Sequence, residues 1–427
     1  MRRSLPCFFF IPIALVSAEL ATGWPEKGGV YVWAKAAFGE RWGFFTTWLQ
    51  WIYSMLGIIS TLYFGSSSLG YLIYPPLSNS PTFLITASII TVWFFTALNL
   101  RGQSMSSKIS SLGFTLGVLV PAALIIALGI GYLFTGQVDH LNLSWSYSNL
   151  LPDFSDFTTF VLLVGFMRAF GGIEAAASHA NLVENPQRNY PISILIVVII
   201  GLAINIFGSL SVAVVIPTSD LSLAAGLIDA FSKFFTIFNM GWLTKPIAAL
   251  ITWGALGSVS TWLMGPIKGL LATAENGDIM PFLSKTNKHD APSHLLIIQA
   301  CFISIIAFFL LMMPNINLAF WLSVAIAMTV YLTMYFMLLL SGLVLRYKHP
   351  DVHRNYRVPF GKFGIWLNCL VGMATIVFAF TVDLFPPMEL HYSKPKFYIC
   401  MLAGSAIILW ILPHIIYTFR NESWKKI

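Results

Sequence analysis

The sequence predicts an all-α, polytopic membrane helical bundle, on three observations. Hydrophobic residues make up 57% of the 427 residues, charged residues only 10%, and the mean hydropathy is +0.78. A water-soluble core does not absorb that much apolar surface. Apolar runs such as Phe114 to Phe134, Ile192 to Ile216 and Leu295 to Met313 reach or approach the roughly 20 residues that cross about 30 Å of hydrocarbon as helix. These runs lack period-two alternation. Lipid offers the backbone no hydrogen-bond partner, so only helices and closed barrels span it, and the missing alternation excludes the barrel.

About eleven spans follow in order. The first takes in the run Leu5 to Val16 and is centred near Leu15. The next three centre near Ser60, Val92 and Ala122, with a loop at Pro75-Pro76 after the first of them. The fifth surrounds Arg168 and the sixth Ala203, separated by the turn at Asn185-Pro186. Ser258, Ser304 and Leu332 mark three more, and the charged, proline-containing loop from Lys348 to Pro359 precedes the last two, near Ala374 and Ala406. No soluble domain interrupts them, so residues 1–427 read as one transmembrane domain.

The net charge of +7 is dispersed between apolar runs rather than gathered on one basic face, which argues against a nucleic-acid partner and makes the charge a topology signal. Most cations, among them Lys27, Arg41, Arg101, Arg188, Lys285, Arg346, Arg354 and Arg420, fall on one side of the predicted spans. Lys233, Lys245, Lys394 and Lys396 fall on the other. The positive-inside rule makes the first side cytoplasmic, and the C-terminus with it. Met1-Arg2-Arg3 conflicts with this, since the later loops place the start of the first span outside. One further preceding helix removes the conflict; a signal peptide, with Arg2-Arg3, a short apolar run and Val16-Ser17-Ala18, is the rival reading. Cys7, Cys301, Cys369 and Cys400 sit in apolar stretches without metal-ligand spacing and read as core filler.

The most informative stretch is Phe166 to Glu174, where the pair Gly171-Gly172 lies between Arg168 and Glu174 near membrane depth. Two glycines weaken a helix by about 1 kcal/mol each relative to alanine, and such breaks line the midplane sites of many transporters, where freed amides and carbonyls hold a carboxylate or an ammonium. Close helix packing is the plainer explanation of a Gly-Gly pair. Arg168 costs on the order of 2.5 to 3.5 kcal/mol at mid-bilayer and calls for a partner or cavity, in an interhelical ion pair or at a ligand site. Arg168 and Glu174 stand roughly 240° apart on an ideal helix, so their partners belong to other helices or to a ligand. Glu19 lies near a helix end and suits an interface contact or gate better than a central site. Ser258 with Trp262, and Tyr331 with Tyr335, each share a helix face, either as packing or as aromatic walls for a small amphiphilic ligand. The scattered histidines form no HExxH or comparable set, so no catalytic residue, metal or cofactor is indicated.

The stretch Ala18-Glu19-Leu20-Ala21-Thr22-Gly23-Trp24-Pro25-Glu26-Lys27-Gly28-Gly29-Val30-Tyr31-Val32-Trp33 resembles the second-helix signature of the amino acid, polyamine and organocation (APC) transporter superfamily. Gly172-Ile173-Glu174 followed by Glu184 to Pro191 resembles that family's sixth helix and the turn after it, and Gly265-Pro266-Ile267-Lys268-Gly269, leading into Ala274 and Asn287-Lys288, resembles the eighth. Within the superfamily the chain is most similar to bacterial glutamate/γ-aminobutyrate antiporters, through Pro152 to Ser155, Ser178-His179, Trp262 and Tyr331 to Leu338.

This resemblance implies a leucine-transporter-like five-plus-five inverted repeat, with residues 1–134 as the remainder of the first repeat, 157–347 as the second and 363–418 as two additional helices. It implies that Gly171 and Gly172 break the sixth helix, that Trp262, Tyr331 and Tyr335 line the site, and that Glu174 is a proton-linked or gating carboxylate. Helix one, which holds the substrate's amino and carboxyl groups in the family, is missing from the pattern, through a misassigned start or a decayed gene, and its absence weighs against the signal peptide. The antiporter pattern has a glutamate at the position of Ser258 and an apolar residue at that of Arg168. A carboxylate lost and a guanidinium gained favour an anionic ligand group. Arg420 to Ile427 also leave no room for the long, pH-dependent cytoplasmic plug of those antiporters. The reading is therefore a multi-pass amino acid transporter of the bacterial inner membrane, by antiport or proton-coupled uptake, with a truncated non-transporting remnant or partner subunit as the rival. A polytopic membrane enzyme would need a polar cluster at one depth, which isolated carboxylates and one arginine do not form. The amino acid carried and the oligomeric state are not legible.

Overall fold

The computed structural model describes residues 5–135, 159–160, 164, 167, 171–175, 184–216, 226–311, 316–385 and 395–424. Among them the chain is helical throughout, with no strand. The helices are α1 (Leu5–Gly23), α2 (Val30–Phe38), α3 (Glu40–Ile73), α4 (Pro81–Leu100), α5 (Gln103–Phe114), α6 (Val120–Leu133), α7 (Pro186–Ala203), α8 (Ser209–Val215), α9 (Gly226–Ile237), α10 (Thr244–Glu275), α11 (Ser293–Leu311), α12 (Ile316–Lys348), α13 (Gly361–Asp383) and α14 (Pro395–Thr418). Single π-helical turns, Thr115–Leu119 and Ile204–Gly208, join α5 to α6 and α7 to α8.

Eight of these helical stretches are long and apolar enough to cross a membrane, and Phe8–Gly23 and Ser293–Phe309 are shorter apolar helices. These ten coincide with ten of the spans read from the sequence. The eleventh, around Arg168, lies mostly outside the described residues, as do Arg168 itself, Pro152 to Ser155 and Ser178-His179. Side chains such as Ile90, Phe94, Leu195, Ile199, Phe309, Leu370 and Ile408 stand exposed on the helices, the reverse of a soluble surface and what a lipid-facing one requires. The cysteines divide: Cys369 is buried, as core filler should be, but Cys301 and Cys400 are exposed on the apolar exteriors of α11 and α14. An apolar run says that a cysteine is at membrane depth without saying whether it faces protein or lipid.

Helices α3 and α10 form the centre, packed against each other more extensively than any other pair, and α12 lies against α3, α1, α2 and α13. Polar side chains bridge this interior: Trp51 Nε1 donates to Gln299 Oε1 at 2.7 Å, and Ser106 and Ser260 share a bond of 2.8 Å. Such interhelical bonds are worth about 0.6 kcal/mol on average in membranes. Where the π-turn after α5 crosses α10, the two backbones touch. A Cβ on Gly254 would lie 2.7 Å from the Gly117 carbonyl, and one on Gly117 would strike the Gly254 backbone. Only glycine permits that approach.

The charged ends of several helices meet on one face. Lys27 Nζ is 2.9 Å from Glu275, Arg420 Nη1 2.7 Å from Glu40, and Lys348 Nζ donates to the carbonyls of Ala36 and Ala37 at 3.3 and 3.2 Å. Cations assigned to one side from the sequence therefore share a face.

Substitution at the α5–α10 crossing should separate two neighbouring glycines. Gly254→Val is expected to destabilise the detergent-solubilised protein by about 1–3 kcal/mol through overpacking. In Gly257→Ala the new methyl would meet its nearest neighbour at 3.6 Å, an ordinary contact, and the melting temperature should hardly move. Equal melting temperatures for the two variants would contradict the crossing.

Candidate functional site

At the glycine pair the described backbone is a turn at Gly171-Gly172 followed by a 3-10 turn over 173–175. Gly172 has φ +110°, a conformation that side chains with a Cβ rarely adopt, and a Cβ there would lie 3.0 Å from the Trp262 ring. The turn therefore requires glycine twice over, for its backbone and for the indole packed against it.

Immediately after the turn, Glu174 is only 1% exposed. Its Oε1 accepts from Tyr331 Oη at 2.7 Å and from Gln50 Nε2 at 3.1 Å, and its Oε2 accepts from Tyr335 Oη at 2.6 Å. The Gly172 N–H donates to Tyr335 Oη at 2.9 Å, so the phenol links the turn to the carboxyl. Tyr331 and Tyr335 come together because they sit one turn apart on α12, with their hydroxyls 2.9 Å apart. Tyr53 of α3 stacks flat on Tyr331, centroids 3.5 Å apart, and meets Trp262 edge-on at 5.8 Å. Phe9 of α1 meets Tyr335 edge-on at 5.4 Å.

The chemistry of this cluster follows from counting protons. With Glu174 ionised, each phenol donates to one carboxyl oxygen. With Glu174 protonated, a closed ring is available: Oε2–H to Tyr335 Oη, Tyr335 O–H to Tyr331 Oη, and Tyr331 O–H to Oε1. The same heavy atoms serve both forms after rotation of one hydroxyl, that of Tyr335. A buried carboxyl that can gain or lose a proton without orphaning a donor is equipped for proton-linked work.

The structure thus gathers Gly172, Glu174, Trp262, Tyr331 and Tyr335, with Gly171 at the turn. Ser258 is placed one turn along α10 from Trp262, its hydroxyl spent on the Ala255 carbonyl at 2.7 Å. It lines a cavity of ≈ 570 Å³ between α3, the two π-turns and α10, in which Ser60, Thr61 and Ser209 are the other hydroxyls. Gln50 and Tyr53 were not singled out from the sequence. A glutamine among apolar residues mid-span was a usable signal for the first, whereas a tyrosine in an aromatic-rich helix gave none for the second.

Glu19 belongs to a different cluster, in the last turns of α1. Arg346 Nη1 bonds to Oε1 at 2.5 Å, Arg354 Nε lies 3.7 Å from the same atom, and the Val358 N–H donates to Oε2 at 2.8 Å. Arg354 also donates to the carbonyls of Leu345 and His349 and lies over the Trp24 ring at 5.0 Å. Burial lowers the Arg354 pKa, Glu19 opposes that fall, and Arg346 and Arg357 add to it. The carboxylate of α1 thereby pins the loop between α12 and α13.

A third group lies at the end of α10. Asp278, fully buried, accepts from Tyr31 Oη at 2.6 Å, and Arg420 Nη1 stands 3.1 Å from its other oxygen. Burial pushes this carboxyl above its ordinary range, against the Tyr31 hydrogen bond and the Arg420 charge, which favour the ionised form. No group of histidine, cysteine and carboxylate side chains suited to a metal occurs among the described residues.

The profile of the amino acid permease family matches residues 5–410. The chain is 36% identical over 405 residues to an uncharacterized transporter of Legionella pneumophila, covering 95% of this chain and 87% of the relative. It is 33% identical over 420 residues to a glutamate/gamma-aminobutyrate antiporter of Lactococcus lactis, covering 97% and 83%. A "probable agmatine/putrescine antiporter" of the same species is 29% identical over 392 residues, covering 90% and 80%. These are transporters and not enzymes.

The two phenols should differ in their importance to folding. Tyr335→Phe removes a donor from Oε2 and the acceptor of the Gly172 N–H, while Tyr331→Phe leaves Gln50 still bonded to Oε1. At about 1–3 kcal/mol per orphaned buried group, Tyr335→Phe should lower the melting temperature of the purified protein more than Tyr331→Phe. The opposite order would contradict the hydrogen-bond assignment.

Proposed function

We propose that this chain, which belongs to the amino acid permease family, carries its amino acid by glutamate/γ-aminobutyrate-type antiport or proton-coupled uptake, with Glu174 as the proton-linked carboxyl. One observation supports this reading above the others: a buried carboxyl directly after a Gly-Gly turn, held by two phenols in a network that accepts either protonation state. The amides and carbonyls around Gly171 and Gly172 and the faces of Trp262, Tyr331 and Tyr335 then bind the substrate, and Ser258 extends that surface into the neighbouring cavity. Arg168, six residues before Glu174, supplies the charge for a substrate carboxylate.

In this reading residues 1–134 and 157–347 are the two repeats, and the two helices of 363–418 are additional. Glu19 acts as a gating contact, since its bonds to Arg346 and Val358 join α1 to the loop after α12. The cation-rich face is cytoplasmic, and with it the end of α14, in a bacterial inner membrane. The specificity departs from the glutamate/γ-aminobutyrate pair toward a ligand with an added anionic group, because Ser258 carries no charge and Arg168 carries a positive one.

The test is counterflow of labelled glutamate, γ-aminobutyrate, glutamine and arginine into proteoliposomes preloaded with each unlabelled amino acid. At least one should exchange, and Trp262→Ala and Arg168→Ala should each reduce that exchange by about tenfold or more, the loss of one good anchoring contact, with the protein still in the membrane. Undiminished exchange in both variants would overturn the site. Absence of exchange with all four substrates by correctly inserted protein would overturn the glutamate/γ-aminobutyrate-type reading.

A further inference from the structure

On other faces of the helices that hold the Glu174 cluster, α3 and α12 together with α13 and α14 leave a cleft of ≈ 510 Å³. Its walls are aromatic and aliphatic. Trp42 and Phe45 come from α3, Phe336 from α12, Phe380 from α13, and Trp410 and His414 from α14. Phe380 stacks on Trp410 at 5.8 Å, and Phe45 lies flat against His414 at 5.0 Å with Trp42 edge-on to the same imidazole at 5.4 Å. Helices that bury their shared surface this incompletely leave an acyl-sized apolar slot open to lipid, and the size falls within the roughly 300–1,000 Å³ of sites that hold small molecules.

The mouth of the cleft is charged. Arg41, in the first turn of α3 beside Trp42, donates its Nε–H to His414 Nδ1 at 3.0 Å. That bond ties the guanidinium to His414, which lines the cleft, and Arg41 enters no ion pair among the described residues. The carboxylate next to it is already taken: Glu40 Oε2 is 2.7 Å from Arg420 and its Oε1 is 3.9 Å from Lys35. Around this end, among the described residues, Lys35 and Arg420 pair with Glu40 and Asp278, and Arg41 adds a positive charge that no ion pair offsets. Helix α3 starts without a side-chain cap, and its dipole adds to the pull on an anion.

We propose that this cleft binds an anionic phospholipid from the leaflet at the C-terminal end of α14, with the phosphodiester on Arg41 and an acyl chain along the aromatic wall. Guanidinium pairs bidentately with phosphate, a charged head needs the excess cation, and a tail needs the slot. Basic pockets between membrane helices recognise anionic heads in this way, and Trp42, 39% exposed in the first turn of α3, is the kind of indole enriched at membrane interfaces. The proposal concerns the lipid-facing exterior and is independent of the transport reading.

The experiment is a count of retained lipid on the purified full-length chain by native mass spectrometry, after equilibration with equimolar phosphatidylglycerol and phosphatidylethanolamine. The wild-type chain should retain phosphatidylglycerol in preference. Arg41→Gln should lower that preference by about tenfold, the loss of one charge-assisted pair. Thr381→Trp places an indole in the cleft from a threonine whose hydroxyl bonds only within its own helix, and should expel the lipid altogether. Equal retention of both lipids by the wild type, or a preference unchanged in Arg41→Gln, would overturn the site and leave ordinary boundary lipid. A two-chain species that excludes lipid would overturn it in favour of a second copy in the cleft. The count reads lipid on folded protein whether or not transport occurs.

Discussion

One constraint organises the interior: a carboxyl group only 1% exposed. Glu174 must find every hydrogen-bond partner within the protein, and it finds them on two helices distant in sequence, Gln50 on α3 and Tyr331 and Tyr335 on α12. An unpaired carboxylate at this depth would cost several kcal/mol, so these helices are held in register by one side chain. The glycine turn belongs to the same arrangement. By exposing the Gly172 N–H to Tyr335, it fixes the phenol that holds Oε2.

The sequence disclosed the fold almost entirely, because crossing a bilayer leaves a signature that needs no tertiary context. Runs of apolar residues of the right length are visible one at a time, and ten of the spans coincide with helices. The site was half legible. Gly171-Gly172 beside Glu174, and two tyrosines one turn apart, stand out as local patterns. That the tyrosines hold Glu174 did not, since 157 residues separate Tyr331 from it and helical spacing shows which residues share a face without showing what that face meets. Tyr53 was invisible for the same reason: only the packing of α3 on α12 lays its ring on Tyr331. Cys301 and Cys400 failed in another way, because hydropathy treats a lipid-facing position and a core position alike.

Charge is arranged as deliberately at the membrane surface as in the interior. Glu19 joins α1 to the loop after α12, and Asp278, Glu40 and Arg420 join the ends of α10, α3 and α14. Each group ties together segments far apart in sequence.

The central claim is that Glu174 carries the proton linked to amino acid movement. The measurement that bears on it most directly is the pH dependence of amino acid exchange in proteoliposomes for the wild-type chain and for Glu174→Gln, which fixes the neutral form while keeping the side chain's size. Wild-type exchange should change with pH, and the variant should exchange at a rate that no longer follows pH. A Glu174→Gln profile that follows the wild type would place the linked proton on another group and contradict the account.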